Sequence, residues 1–200
     1  MMLLHNIPII HNSIFLYQLD IKKDYSKIFE KEKVKEANNG FLTYSSTENN
    51  ILNKFKDLKQ ECEKSVNSLI SDTLCFEDNN FKIFNSWITK TEPKGYSESH
   101  THSNSWISGI YYPKFSENFK IRFYNDLLSP FYTKVKTYNI YNSKHWDITP
   151  MSNCLVLFFS NMRHNILPNN SEENRYSLAF NVLPNVSFGV EDSFLKLNIK

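Results

Sequence analysis

Glycine, arginine and cysteine are scarce in this chain: four, three and three residues among 200. Lysine outnumbers arginine twenty to three, and asparagine reaches 25, a bias that reads as that of an AT-rich genome and not as a physical demand. Cys62, Cys75 and Cys154 are not spaced as metal ligands. An odd count without a secretory leader points to free thiols in a reducing cytoplasm. The opening Met-Met-Leu-Leu-His-Asn-Ile-Pro-Ile-Ile is apolar, but it has no basic flank and no small-residue cleavage site, so it is not read as a signal peptide. No stretch approaches the length of a membrane span. Charge of one sign is lacking too. The net charge is +2, which gives no footprint for a nucleic-acid duplex. There are no internal repeats and no linker that would divide domains.

What the chain does have is aromatic surface. Sixteen Phe and eleven Tyr, in a chain that is 40% hydrophobic, suit a β-rich core better than a small helical bundle. Residues 13–20 read as a strand and 24–37 as a sparse amphipathic helix. Residues 38–50 read as a loop, and 51–72 as the clearest helix, with apolar residues at three- and four-residue steps. After Asp78-Asn-Asn80 the period changes to two. Strands are expected at 81–91, 105–112, 119–125, 131–141, 145–149, 154–160 and 175–182, with an edge strand in 185–200. Helices followed by a run of strands predict a mainly β sandwich with helices packed on one face. The division is a bracing segment over 1–78 and a core over 81–184, within one domain of 200 residues.

Six histidines and three arginines make each placement informative. His100 and His102 flank Thr101 and point to one side of an extended segment. His164 follows the buried-strand pattern Leu155 to Ser160. Arg175 opens a strand whose alternate residues, Ser177, Ala179 and Asn181, leave room for a small ligand. Each has a bland reading: solvated loop histidines, a turn histidine bonded to backbone, and an arginine paired with Glu172 or Glu173. Together they have the layout of a non-haem iron centre, in which a few protein ligands hold Fe(II) with positions left open. An arginine then clamps a carboxylate with a two-pronged hydrogen bond.

The run from Asn85-Ser-Trp through Gly95-Tyr-Ser-Glu-Ser-His-Thr-His to Ser108-Gly-Ile-Tyr-Tyr112 resembles the 2-oxoglutarate- and Fe(II)-dependent oxygenases found in marine bacteria and their phages. Ile121 to Asp126 and the block from Pro150 through His164, Pro168, Arg175 and Asn181 are similar to the same family. The resemblance covers most of the chain. It implies a double-stranded β-helix (jelly roll) with iron at its open end. The iron ligands would come from His100, His102 and His164, with Arg175 anchoring 2-oxoglutarate and Tyr111 and Asn181 also facing that co-substrate. It implies 2-oxoglutarate and O2 as co-substrates, and hydroxylation of a C–H bond, by analogy first in a protein or peptide side chain, with a free amino acid, a sugar or a modified base as the alternatives. Nucleic acid and membrane are not expected as partners. The oligomeric state is not legible, with a homodimer one option, and the location expected is the cytoplasm of a bacterium or of a phage-infected host.

The chain departs from the wider pattern in three places, one being Asn161-Met-Arg163 ahead of His164, where an apolar run is more typical. It has Met151-Ser-Asn153 where a glycine usually precedes the closing strand. No carboxylate follows His100 at the expected spacing, and Glu98 precedes it by two. Two rival readings follow: a cupin-like enzyme with three histidines and no 2-oxoglutarate, and a non-catalytic jelly-roll binding module. Trp87, Trp106, Tyr112 and Trp146 are the candidates for lining a pocket.

Overall fold

The structure, a computed structural model, describes residues 12–77, 81–126, 134–185, 187–189 and 191–196. Seven strands form the larger sheet: β1 (Ile14–Gln18), β2 (Val34–Glu36), β3 (Gly40–Ser46), β4 (Phe81–Ser97), β5 (Ile107–Tyr112), β8 (Cys154–Phe159) and β10 (Arg175–Pro184). Their order is β1-β8-β5-β10-β4-β3-β2, antiparallel throughout. A smaller antiparallel sheet, in the order β7-β6-β9, is built from β6 (Ile121–Tyr124), β7 (His145–Ile148) and β9 (His164–Ile166). The two sheets face each other as the layers of a jelly roll.

Strand parity separates two cores. Ile107 and Tyr111 of β5, Leu178, Phe180 and Val182 of β10, and Ile88 of β4 point away from the smaller sheet. There they meet Tyr25 and Phe29 of α1 (Tyr25–Phe29) and Leu58, Cys62 and Val66 of α2 (Lys56–Ser68). Ile110, Tyr112, Val156, Phe158 and Ala179 point the other way, onto Ile121 and Phe123 of the smaller sheet. All six residues of β5 are buried. A strand covered on both faces has no polar alternation to report which side is which.

Several expected boundaries move. The helix over 24–37 lasts only five residues. Asp24 caps it by accepting from Lys27 N at 3.4 Å, and Tyr25 and Phe29, one turn apart, are its buried pair. Val34–Glu36 then pairs with Ser46–Tyr44, so a strand stands in the expected loop at 38–50. The helix over 51–72 is broken at Phe55 into a 3-10 turn (Ile51–Lys54) and α2, and ends in a wider turn (Leu69–Thr73). The strand expected at 131–141 is absent from its described part, 134–141. The C-terminal stretch forms a separate two-residue hairpin, β11 (Ser187–Phe188) with β12 (Leu195–Lys196), and does not edge the larger sheet.

Asn153 stands where a glycine was expected. It adopts φ +54°, a left-handed conformation that asparagine tolerates better than most side chains. Its side chain also accepts from Tyr111 Oη at 2.7 Å and donates to Ile21 O at 3.2 Å. Gly109 is needed for a different reason. It lies directly opposite Phe180, and a Cβ there would fall within the Phe180 ring. Gly109→Val is therefore expected to cost about 2 kcal/mol by overpacking. That should lower the midpoint of thermal unfolding by roughly 4–8 °C, and an unchanged melt would show that Phe180 has room to move.

Candidate metal and carboxylate site

Three imidazoles meet at one end of the jelly roll. His100 and His164 exchange both backbone bonds, His100 N donating to His164 O at 2.9 Å and His164 N to His100 O at 3.0 Å. Residues paired this way project to the same side, and their ring centroids lie 4.5 Å apart. His102 N donates to Ser160 O at 2.9 Å, which brings the third ring within 5.2 Å of His164. One ring nitrogen from each histidine falls within 4.8 Å of the other two.

The outer nitrogens are all occupied. His100 Nδ1 donates to Glu98 O at 2.9 Å, His164 Nδ1 to Met162 O at 3.0 Å, and His102 Nδ1 to Asn181 Oδ1 at 2.7 Å. Each acceptor lacks a proton of its own, so these bonds select the Nδ1–H tautomer in all three rings and leave the Nε2 lone pairs free. Burial pushes His164 down to about 3, with the nearby His100 adding to the effect. Burial also lowers His102, against the raising effect of its Asn181 bond. At neutral pH these rings are neutral, as a metal requires. Among the described residues no carboxylate joins the group. Glu98 contributes only its backbone carbonyl and has an exposed side chain.

A serine cluster braces His102. Ser108 Oγ lies 2.9 Å from His102 Nδ1, donates to Asn181 Oδ1 at 2.9 Å, and sits 2.8 Å from Ser160 Oγ. Both serines are essentially inaccessible to water. Phe158 and Phe123 wall His164 at 4.7 and 5.6 Å, and Trp87 lies 5.7 Å from His102. Trp106 packs instead in the helix-side core, against Phe76 and Phe81.

Of the three arginines, Arg122 is clamped by Asp147 at 2.7 and 2.8 Å, and Arg163 is paired with Asp126. Arg175 is 8% exposed, and its buried Nε and Nη1 have no partner among the described residues. Glu173, one of the two acids that could have paired with it, binds Lys114 at 2.6 Å. The Arg175 guanidinium stacks on Phe119 and lies 4.7 Å from the Tyr112 ring centre. Burial pushes it well below the ordinary arginine range, with Tyr112 opposing. Arginine keeps its proton in proteins, so this is a desolvated cation in want of an anion. The Tyr112 hydroxyl is likewise buried without a partner.

Tyr111 is not brought to this site. Its hydroxyl donates to Asn153 Oδ1, and its ring meets Tyr25 and Phe29 on the helix side. Its neighbour Tyr112 is the tyrosine on the inner face, because adjacent strand residues point to opposite sides. Asn181 is at the site, but its Oδ1 is engaged by His102 and Ser108. Residue-by-residue reading missed Ser108, Ser160 and Asn85. Asn85 is paired with Asn181 across the sheet, and its Oδ1 is buried and unpartnered.

Residues 85–181, a little under half of the chain, match the family described as putative 2OG-Fe(II) oxygenase. No curated protein matches the chain. Among solved structures, a Pseudomonas putida prolyl-4-hydroxylase is similar at TM-score 0.54 and 14% identity, covering 85% of this chain and 92% of that one. HygX from Streptomyces hygroscopicus, solved with nickel and 2-oxoglutarate, is similar at TM-score 0.58 and 8% identity, covering 86% and 83%. A Trichoplax adhaerens prolyl hydroxylase, in complex with a hypoxia inducible factor peptide fragment, gives 0.56 and 13%, with the same coverages.

Proposed function

We propose, from the match of residues 85–181 to the putative 2OG-Fe(II) oxygenases, that the chain is an Fe(II)- and 2-oxoglutarate-dependent dioxygenase hydroxylating a C–H bond in a protein or peptide side chain. The observation that carries this reading is the presence of three convergent imidazoles and of a buried arginine that has no anion among the described residues. The donor set fits the cofactors. His100, His102 and His164 would hold iron through Nε2. Arg175, with the Tyr112 hydroxyl beside it, would hold the far carboxylate of 2-oxoglutarate. When bound, iron and 2-oxoglutarate would supply the O2-activating chemistry, with 2-oxoglutarate and O2 consumed and succinate, CO2 and the hydroxylated product released.

The protein's own part is orientation and exclusion of water. Arg175 offers a planar fork that matches a carboxylate in two prongs. Phe123, Phe158, Val156 and Ala179 wall the space between the sheets with apolar surface. Asn181 fixes the His102 ring. Asn181→Ala is expected to weaken metal binding roughly 10- to 100-fold, a range typical for loss of a group that orients a ligand. Asn181→Asp, which keeps the acceptor, should restore most of it, as read by competition with a coloured chelator.

Peptide hydroxylation is supported by the prolyl hydroxylase folds among the similar structures, one of them peptide-bound. Two buried free thiols and one exposed one fit a reducing compartment, and no helix among the described residues is long and apolar enough to cross a membrane. The three-histidine enzyme without 2-oxoglutarate is the second reading, favoured by the missing carboxylate. Anaerobic titration separates the two. A weak visible charge-transfer band that needs both Fe(II) and 2-oxoglutarate, and is lost in His164→Ala and in Arg175→Ala, is the expected result. Iron binding without a band would favour the second reading, and no iron binding would sink both.

A further inference from the structure

Arg175 is the first residue of β10, and it lines a cleft of about 90 Å³ at that end of the strand. The other walls come from Ser26 of α1, from Tyr176, and from the loops that carry Lys114, Ser116 and Glu173. None of the three histidines lines it, nor do Tyr112, Phe119, Val156 or Ala179, which wall the space between the sheets. Tyr176 packs toward the helix-side core. The cleft therefore approaches Arg175 from outside the jelly roll. Nε and Nη1 of Arg175 are buried, and Nη2 is the one guanidinium nitrogen not sealed from water. Both edges of a guanidinium that can grip a carboxylate with two prongs include Nη2. Glu173, the acid of the cleft, is turned to Lys114 at 2.6 Å, with the two side chains 73 and 64% exposed. An exposed pair of this kind contributes little, whereas a buried cation without an anion is costly. An anion entering the cleft thus gains more from Arg175 than it loses by parting Glu173 from Lys114, and Lys114 is then free to act as a second donor.

We propose that this cleft binds a small carboxylate, which holds Arg175 from outside and competes with 2-oxoglutarate for it. The binding site stands on the cleft and its charges alone; the competition rests on the oxygenase reading above. The space has room for about three waters, which suits a carboxylate of the size of acetate and is too small for a second 2-oxoglutarate. Phe115 and Tyr176 add apolar surface. Phe115 is 44% exposed, and its backbone is held in place by donation from Phe115 N to Ser152 Oγ at 2.8 Å. That surface suits the hydrocarbon end of an organic acid and offers nothing to inorganic phosphate. The consequence is inhibition by short-chain acids, which withdraw the anchor of the co-substrate without entering the space between the sheets.

The test uses thermal melts of the metal-free, full-length protein at constant ionic strength, with acetate, inorganic phosphate or chloride. Acetate is expected to stabilise the wild type saturably, and neither of the other anions should match it. Ser116→Phe, which fills the cleft, should abolish the response, and Lys114→Ala should weaken acetate binding at least threefold. In the anaerobic Fe(II) titration, saturating acetate should raise the apparent Kd for 2-oxoglutarate at least tenfold in the wild type. It should leave that Kd unchanged in Ser116→Phe, whose charge-transfer band shows that the variant is folded. Competition that survives in Ser116→Phe puts acetate on the inner side of Arg175 and overturns the proposal. Unchanged acetate affinity in Lys114→Ala overturns it too, and so does loss of 2-oxoglutarate affinity in both variants, since the cleft would then belong to the co-substrate's own pocket. Phosphate binding as tight as that of acetate overturns the carboxylate assignment. An acetate response in a wild type that shows no Fe(II)/2-oxoglutarate band would remove the oxygenase reading and leave the cleft site standing.

Discussion

Arg175→Met is expected to lower affinity for 2-oxoglutarate at least 100-fold and, at the same time, to make the cofactor-free protein more stable. The first effect follows from losing two charge-assisted hydrogen bonds, each worth roughly 1.5–3 kcal/mol. The second follows from the absence, among the described residues, of any anion beside Arg175. A buried cation without a partner costs more than an apolar side chain of similar volume, so its removal should gain about 1–3 kcal/mol. Thermal melts with and without 2-oxoglutarate measure both effects. The wild type should gain stability with ligand concentration as linkage requires, while the variant starts higher and does not respond. Arg175→Lys keeps the charge but loses the fork, and should fall between them. A variant that melts lower than the wild type yet still responds to 2-oxoglutarate would show that Arg175 serves only the fold.

The second large effect is acid sensitivity of the metal-free protein. His164 titrates near 6.5 when unfolded and is held at about 3 by burial when folded. Its folded value is depressed, so the unfolded chain binds more protons below pH 6.5. The stability that depends on neutral His164 is thus complete above that pH and is lost as pH falls. Between pH 6.5 and 4.5 the loss from this residue is roughly 2 kcal/mol, and His102, lowered in the same direction, adds to it. Denaturant melts of the wild type and His164→Gln across that window isolate the term. The variant should show a distinctly flatter pH dependence, and parallel curves would mean that His164 is not desolvated in solution. Saturation with a divalent metal should remove most of the difference, because coordination keeps the ring neutral.

Much of this was legible in the sequence, and the failures have physical causes. The jelly roll could be read because strand alternation survives wherever one face is less buried than the other. The histidines and Arg175 could be read because so few residues of either type were available to mislead. That Tyr112, and not Tyr111, faces inward is hidden in the sequence because Ile107–Tyr112 is buried along its whole length, and a strand covered on both sides hides its own parity. Ser108 and Ser160 look like any small strand residues, and only the register that sets them beside His102 reveals a network. The alternation of Tyr138 and Ile140 imitates a strand, yet Asn139 and Asn142 bond the backbone into turns there. The five-residue α1 followed by β2 reflects pairing with β3, which local propensity cannot anticipate.

The backbone rung shared by His100 and His164 divides the site into a rigid jaw and an adjustable one. The spacing of those two imidazoles is inherited from strand geometry, which no occupant can stretch without breaking two hydrogen bonds. The His102 ring hangs from side chains, Asn181 and Ser108, that can shift by rotation. Ions of different radius should therefore be accommodated by movement of His102 alone, and the tolerance of the site for foreign metals is set by how far one asparagine can lean.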